Sequence, residues 1–173
     1  KFKKVWRTLF VITIAVPQFV SLLLMRNFLN DHGPLNGLLQ TLHLTNGPIP
    51  FLTDPLWAKF SIIFVNMWIG IPFTMLVATG IIMNLPTEQI EAAEIDGASK
   101  FQIFKSITFP QILLIMAPSL IQQFIGNINN FNVIYFLTGG GPTNSEYYQA
   151  GSTDLLVTWL YKLTVSAKDY NLA

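Results

Sequence analysis

The sequence predicts an all-α membrane protein, a polytopic helical bundle with three spanning helices. Of its 173 residues, 51% are hydrophobic and only 11% are Asp, Glu, Lys or Arg, against roughly 25% charged in soluble globular proteins. The mean hydropathy is +0.48. This composition excludes a disordered chain and a nucleic-acid-binding protein with a basic face, and it disfavours a soluble enzyme.

The gaps between charged residues locate the predicted helices. Three stretches of 18, 28 and 40 residues contain no charged side chain, and they lie between Arg7 and Arg26, Lys59 and Glu88, and Lys105 and Glu146. A helix that crosses the hydrocarbon core needs about 20 apolar residues, so the first two stretches fit one helix each. In the third, the glycines and proline at 139–142 end any helix near Leu137. We predict spans near 6–27, 60–85 and 107–138.

Basic residues predict the orientation of these spans. The cluster at residues 1–7 indicates that the first helix starts in the cytoplasm, which places 86–106 inside the cell and 28–58 and 139–173 outside. Within 28–58, leucines at helical spacing predict a short helix packed over the bundle; they are Leu35, Leu38, Leu39 and Leu42. Because the chain starts with Lys1 rather than Met and stops without a terminal feature, we expect a fragment of a longer membrane protein.

The connection between the second and third spans predicts a short helix, a turn and a second helix. Thr87 is placed to cap a helix whose first turns are rich in glutamate. Gly97 is suited to the left-handed backbone conformation that ends a helix. Ser99 with Gln102 forms a capping-box pattern that starts the next helix. Alanines at 92 and 93 leave one patch of the helix nearly bare, so another protein could approach its backbone. The alternative is a well-capped turn without a partner.

These residues resemble the EAA motif of ABC importer permeases. The match runs Glu91-Ala92-Ala93, three residues, Gly97, nine residues, Ile107, one residue and Phe109-Pro110, with Phe109 where the family has Leu. Four further segments resemble sugar-importer permeases, most closely the larger permease subunit of the maltose/maltodextrin importer; they are 66–72, 127–131, 137–142 and 153–157. The likeness covers nearly the whole chain and implies that helices before Lys1 and one after Ala173 are missing.

The resemblance implies a permease subunit in the cell membrane, not an enzyme, that moves an oligosaccharide, maltodextrin-like, by alternating access. Its short helix 88–96 would be the coupling helix, docked on a cytoplasmic ATP-hydrolysing subunit. The coupling residues would be Glu91, Ala92, Ala93, Asp96 and Gly97. The implied partners are a second permease subunit, two ATPase subunits and an extracytoplasmic sugar-binding protein, with no cofactor or metal.

A polar stripe in the third span predicts a place for substrate. Gln123, Asn127 and Asn130 follow i, i+4, i+7 spacing on one face, and Ser119 extends it by a turn. Carboxamides both donate and accept hydrogen bonds, as sugar hydroxyls do. The resemblance maps a sugar site onto Ile69, Gly70, Phe73, Gln123, Gly126, Asn127 and Asn130. Phe73, Gln123 and Gly126 depart from the family residues (tyrosine, serine and an aromatic), which leaves a larger or differently linked oligosaccharide open.

Other interpretations stay open at this point. Carboxamides in membrane helices also bind one another simply to hold a bundle together. A secondary transporter or channel would need charged residues in its spans, and the three predicted spans contain only Arg7 and Arg26, each one residue from an end of the first span. A purely structural membrane subunit is a third possibility. Tyr147 and Tyr148 are candidates for an outside partner or for interfacial anchors. His32 and His43 have no clustered ligands, so we expect no metal site there.

Overall fold

A computed structural model of the chain describes residues 5, 8, 12, 14–144 and 146–171. Within them the protein is helical, and pairing of β type is limited to one bridge between Thr143 and Gly151. We number the helices α1 Gln18–Phe28, α2 Pro34–Thr41, α3 Pro55–Met83, α4 Glu88–Ile95, α5 Lys100–Ile128, α6 Phe131–Leu137 and α7 Leu156–Tyr161. Two stretches are π-helical: Phe104–Thr108 within α5, and Lys162–Ala167 after α7. The predicted all-α class is confirmed.

Helices α3 and α5 are the two described helices long and apolar enough to cross a membrane. Each has 29 residues, about 43 Å at the rise of an α-helix, against about 30 Å of hydrocarbon. Only 17% and 11% of their most apolar windows are buried, whereas a core helix of a soluble protein would be buried over most of its length. Most of the apolar surface of both helices is therefore exposed.

The first predicted helix, 6–27, is only partly covered, since residues 6, 7, 9–11 and 13 lie outside the described residues. Within the described residues, the helix predicted over 6–27 is interrupted at Pro17. The chain bends at Val16, and Pro17 is extended, with ψ 133°, as the N-cap of α1. Proline lacks an N–H and disfavours the helical conformation of the residue before it.

The third predicted helix, 107–138, is wrong at both ends. α5 already begins at Lys100, because the Ser99 capping box starts a helix that continues through the π-helical turn. It ends at Ile128, and α6 is a separate helix. The side chain of Asn130 accepts a hydrogen bond from the Val133 N–H at 3.2 Å. That cap offers the backbone an alternative to continuing the preceding helix.

The second predicted helix, 60–85, corresponds to α3, which starts five residues earlier at Pro55. Its start is fixed by Asp54, whose carboxylate accepts hydrogen bonds from the N–H groups of Leu56 at 2.9 Å and Trp57 at 3.0 Å. An acidic N-cap followed by proline at the first helical position is a strong start signal, and it places Lys59 inside the helix.

The predicted surface helix between the first two spans is α2. Its anchor is Asn36, which is fully buried. The Asn36 carboxamide accepts from the Ile49 N–H at 2.8 Å and donates to the Ile49 carbonyl at 2.9 Å and the Asn30 carbonyl at 3.1 Å. One polar side chain thus satisfies three backbone groups and fixes the loop that follows α2.

The chain divides into two compact units, one of residues 1–70 and 127–173 and the other of 71–126. The first has a hydrophobic core formed by α1, α3 and α6 around Leu22, Val65, Val133 and Leu137. In the second, Ile103 and Met116 are the buried apolar side chains of α5, and Pro72 is buried inside α3.

Candidate functional site

Helix α4 lies in the second unit and presents its side chains to solvent. None of its residues is buried. Glu91 and Ala92 are exposed and Ala93 is half-buried, while Ile95 is 85% exposed. Thr87 occupies the N-cap position, but its side chain makes no capping hydrogen bond, so the predicted cap by its hydroxyl is wrong. The helix is a small acidic surface with an isolated aliphatic side chain at its end.

The turn after α4 has a defined geometry. Gly97 lies in the left-handed region with φ +79°. The Ala98 N–H donates to the Ala93 carbonyl at 2.9 Å, and the Gly97 N–H donates to the Glu94 carbonyl at 3.1 Å. These two bonds form a Schellman motif, in which glycine avoids a steric penalty. Asp96, the C-cap, is exposed.

Helix α5 begins directly after that turn. The Ser99 hydroxyl accepts from the Gln102 N–H and the Gln102 side chain accepts from the Ser99 N–H, the predicted capping box. Further along, the Gln111 side-chain amide donates to the Gln89 carboxamide oxygen of α4. The short helix and the long helix are therefore joined by the turn and by a side-chain bond. A cavity of about 400 Å³ opens beside the turn, with Asp96, Gly97 and Ser106 among its lining.

In the first unit, three asparagine side chains form one hydrogen-bonded cluster. Asn66 of α3 donates from Nδ2 to Oδ1 of Asn127 at 2.9 Å. Asn130 donates from Nδ2 to Oδ1 of Asn66 at 3.0 Å while its own Oδ1 caps α6. The structure thus brings together the predicted residues Asn127 and Asn130 through Asn66, which the sequence prediction missed. The available signal was a carboxamide within an otherwise apolar run of α3.

In the second unit, Gln123 makes its own contacts. Its Oε1 accepts from the Thr74 hydroxyl at 2.9 Å, and its Nε2 donates to the Ser119 hydroxyl at 3.5 Å. Gln123 is half-buried, so the partners satisfy a carboxamide on an apolar helix. Thr74 was also missed by the sequence prediction. A threonine hydroxyl in a membrane helix usually bonds to its own backbone, and its sequence position alone does not reveal this cross-helix role.

The remaining predicted residues differ in their surroundings. Ile69 packs against the core of the first unit. The Phe73 ring is 53% exposed. At Gly70 and at Gly126, a β-carbon would meet no atom within 4 Å, so both glycines leave open space beside their helices. Among the described residues, no group of three or more His, Cys, Asp or Glu side chains is placed to hold a metal ion.

The chain is similar in sequence to several curated permease proteins. It is 42% identical over 176 residues to the galactooligosaccharides transport system permease protein GanP of Bacillus subtilis. It is 40% identical over 181 residues to the maltodextrin transport system permease protein MalC of Streptococcus pneumoniae, and 36% identical over 178 residues to the maltose/maltodextrin transport system permease protein MalF of Yersinia pestis. Each alignment covers 100% of this chain and 41%, 41% and 33% of the relative, respectively.

A solved structure shares the fold. It is a chain of a bacterial ABC transporter involved in the import of the acidic polysaccharide alginate, with a TM-score of 0.75, 22% sequence identity, and coverage of 99% of this chain and 57% of that chain. The chain thus spans well under two thirds of the length of these relatives. The resemblance to ABC importer permeases is confirmed. Residues 1–166 match the family model itself, and the chain belongs to the family of binding-protein-dependent transport system inner membrane components.

Proposed function

We propose that this chain is part of the permease subunit of an ABC importer that translocates a neutral oligosaccharide by alternating access. The observation that carries the proposal is the exposed helix α4, which we call the knob. Its last turn is fixed by the left-handed Gly97, and it lies in the chain between two helices of membrane-spanning length. ATP hydrolysis would take place on a partner subunit, so this chain would not itself be an enzyme.

The proposed topology is multi-pass in the cell membrane. With α3 and α5 crossing the bilayer, α4 lies on one side, and the residues after α5 lie on the other. The positive-inside rule favours a cytoplasmic α4. With the predicted first span also crossing the bilayer, six of the ten Lys and Arg residues are cytoplasmic, namely Lys1, Lys3, Lys4, Arg7, Lys100 and Lys105.

The proposed contact with the ATP-hydrolysing subunit is α4. Four exposed carboxylates surround it, those of Glu88, Glu91, Glu94 and Asp96. A knob of this charge fits a cleft lined by basic groups on an ATP-hydrolysing subunit. The small side chain of Ala92 would let the partner approach the helix backbone. Exposed Ile95 would supply an apolar contact of the kind that an interface core buries. Because Gly97 and the Gln89–Gln111 bond connect α4 to α5, movement of the knob would be passed to the span.

The proposed sugar contacts come from both helices. Carboxamides of Asn127 and Asn130 would bind hydroxyls, Phe73 would offer an apolar face to a sugar ring, and Ile69 would contribute an apolar contact. Gln123 would supply a further carboxamide in the second unit, and the open space at Gly70 and at Gly126 would leave room for a sugar ring beside each glycine. Asn66 and Thr74 hold these carboxamides in place.

The chemistry of these residues favours an uncharged sugar. Residues 60–83 of α3 and 106–128 of α5 contain no charged side chain, whereas a uronate would be expected to require a cation in a site away from water. Galactooligosaccharides and maltodextrins, the cargo in the names of the relatives, are neutral sugars. The remaining proposed partners are a second permease subunit, a pair of ATPase subunits and an extracytoplasmic sugar-binding protein.

The proposal is tested by uptake of radiolabelled glucose and galactose oligomers into membrane vesicles that hold the whole transporter. The double variant Asn127→Leu, Asn130→Leu should lose uptake while its subunits still co-purify. Leu114→Ala is the control, since Leu114 is 76% exposed on α5, the helix that contains Asn127. Full uptake by the double variant would refute the sugar site. Assembly lost together with uptake would indicate that the asparagines only hold the helices together.

A further inference from the structure

The loop between α6 and α7 carries two exposed aromatic rings. Tyr147 is 64% and Tyr148 is 62% exposed. They belong to residues 146–150, which we call the tyrosine tip. Glu146 and Gln149 beside the rings are polar and exposed, and Ala150 is half-buried. A loop tip with large exposed rings and polar neighbours has the composition of a protein contact surface.

The base of this loop is closed by a buried carboxylate. The Asp154 side chain is 2% exposed and lies 2.6 Å from Lys162 Nζ. Its Oδ2 accepts from the Gly151 N–H at 2.7 Å, and its Oδ1 accepts from the Thr158 hydroxyl at 2.9 Å. One carboxylate thus ties the loop to the helical segment that follows it.

Two glycines allow the two chain segments at the base of the loop, around Gly140 and around Gly151, to lie in close contact. A β-carbon on Gly140 would lie 1.8 Å from Asp154 Oδ1, and one on Gly151 would lie 1.8 Å from the Gly140 carbonyl oxygen. Gly140 also has φ +81°. The Thr153 hydroxyl completes the closure by donating to the Gly141 carbonyl and contacting the Thr138 hydroxyl at 2.9 Å. The base is therefore packed too tightly for the loop to rearrange freely.

The backbone of the tip is held while its rings point outward. The Trp159 indole N–H donates to the Tyr148 carbonyl at 3.1 Å, and the Ala150 N–H donates to the Tyr147 carbonyl at 2.7 Å. Tyr148 and Gln149 have φ values of 40° and 65°, which side chains other than glycine rarely adopt. The fold thus fixes an unfavourable backbone conformation in which two tyrosine rings remain exposed.

We propose that Tyr147 and Tyr148 are a docking surface for the sugar-loaded extracytoplasmic binding protein. This inference rests on the proposed function, which places the loop outside the cell, and on membership of a family that depends on a binding protein. Tyrosine is enriched among residues that dominate protein interfaces, and a tip already fixed in shape loses little freedom on binding. The Glu146 carboxylate beside the rings disfavours insertion into lipid.

The position of the loop would bring a docked binding protein close to the proposed sugar contacts. Its base follows directly on α6, whose other end is capped by Asn130 of the asparagine cluster. Seven residues, about 10 Å of helix, separate the two. A binding protein seated on the tyrosine tip would therefore release its sugar near the proposed contacts.

The test uses the whole transporter in lipid vesicles and the purified binding protein that supports wild-type sugar uptake. For Tyr147→Ala, Tyr148→Ala, the concentration of binding protein that gives half-maximal uptake should rise at least ten-fold, with uptake at saturation retained. Tyr170→Ala, at a ring that is 72% exposed, should leave it unchanged. An unchanged concentration for the double variant, or a loss confined to the amount of transporter in the membrane, overturns the docking surface and favours a lipid anchor.

A second measurement does not depend on how the alanine variants fold. The chain has no cysteine, so Tyr147→Cys creates one thiol on it, and sugar-loaded binding protein should slow its reaction with a maleimide several-fold. An unchanged labelling rate overturns the docking surface alone. If wild-type vesicles take up no sugar in the presence of any binding protein, the proposed function fails and the inference fails with it.

Discussion

At the scale of single residues, Asn66 holds two carboxamides at once, donating to Asn127 and accepting from Asn130. In Asn66→Leu both would lose a partner, at a cost of about 0.5–1.5 kcal/mol for each hydrogen bond. We expect oligosaccharide uptake at low substrate concentration to fall about ten-fold. Met67→Leu, at an exposed neighbour on the same helix, is the control. Wild-type uptake by Asn66→Leu would show that the cluster does not position sugar contacts.

Gly97 allows an effect of backbone conformation to be isolated from packing. A β-carbon there would meet no atom within 4 Å, yet its φ is +79°, so a side chain costs about 1–2 kcal/mol only through the left-handed conformation. We expect Gly97→Val to abolish uptake and to uncouple ATP hydrolysis from the binding protein. Gly97→Asn should keep more of both, since asparagine tolerates this region. Equal activity of the two variants would contradict a role for the turn geometry.

Asp154 predicts a stability effect. Asp154→Ala removes the partner of Lys162 together with acceptors for the Gly151 N–H and the Thr158 hydroxyl. Breaking a buried pair costs about 3–5 kcal/mol, and water screens this pair in part because Lys162 is 24% exposed. We expect a lower melting temperature and faster proteolysis within residues 139–154. Glu146→Ala, at an exposed carboxylate, should change neither. Unchanged proteolysis of Asp154→Ala would mean that the carboxylate does not close the loop.

At the scale of elements, α4 and α5 are linked by the Gln89–Gln111 bond as well as by the turn. We expect Gln89→Leu and Gln111→Leu each to lower the sugar transported per ATP hydrolysed, with the double variant no worse than either one. Such non-additivity is the mark of a shared interaction, here about 1 kcal/mol or less because both side chains have access to water. Gln122→Leu on the same helix is the control. Fully additive losses would argue against the link.

The sequence predicts elements best where start and stop signals are local. The Ser99–Gln102 box and Gly97 are confirmed because capping depends on neighbours three or four residues away. Hydrophobicity alone misplaced the ends of the third helix, since the cap formed by Asn130 interrupts an apolar run that the hydropathy pattern joins. Asn66 and Thr74 were missed for another reason: their partners lie 49 to 64 residues away, and no local pattern encodes that pairing.

At the scale of the whole molecule, α3 and α5 expose most of their apolar surface, and residues 60–83 and 106–128 within them contain no charged side chain. We expect vesicles that hold the transporter to accumulate neutral glucose or galactose oligomers and to exclude uronate oligomers of equal length. The difference follows from the cost of a carboxylate without a cation near it. Competition uptake with both kinds of oligomer measures it, and efficient competition by uronates would contradict the assigned contacts.

The central claim is that α4 lies in the cytoplasm against an ATP-hydrolysing subunit. Ala92→Cys places a single thiol of this chain on the exposed face of the knob. Thiol labelling from either side of oriented vesicles, followed by cross-linking in the assembled transporter, measures both parts of the claim. We expect labelling from the cytoplasmic side and a cross-link to the ATPase subunit, whereas labelling from outside, or no cross-link to that subunit, would refute this placement of α4.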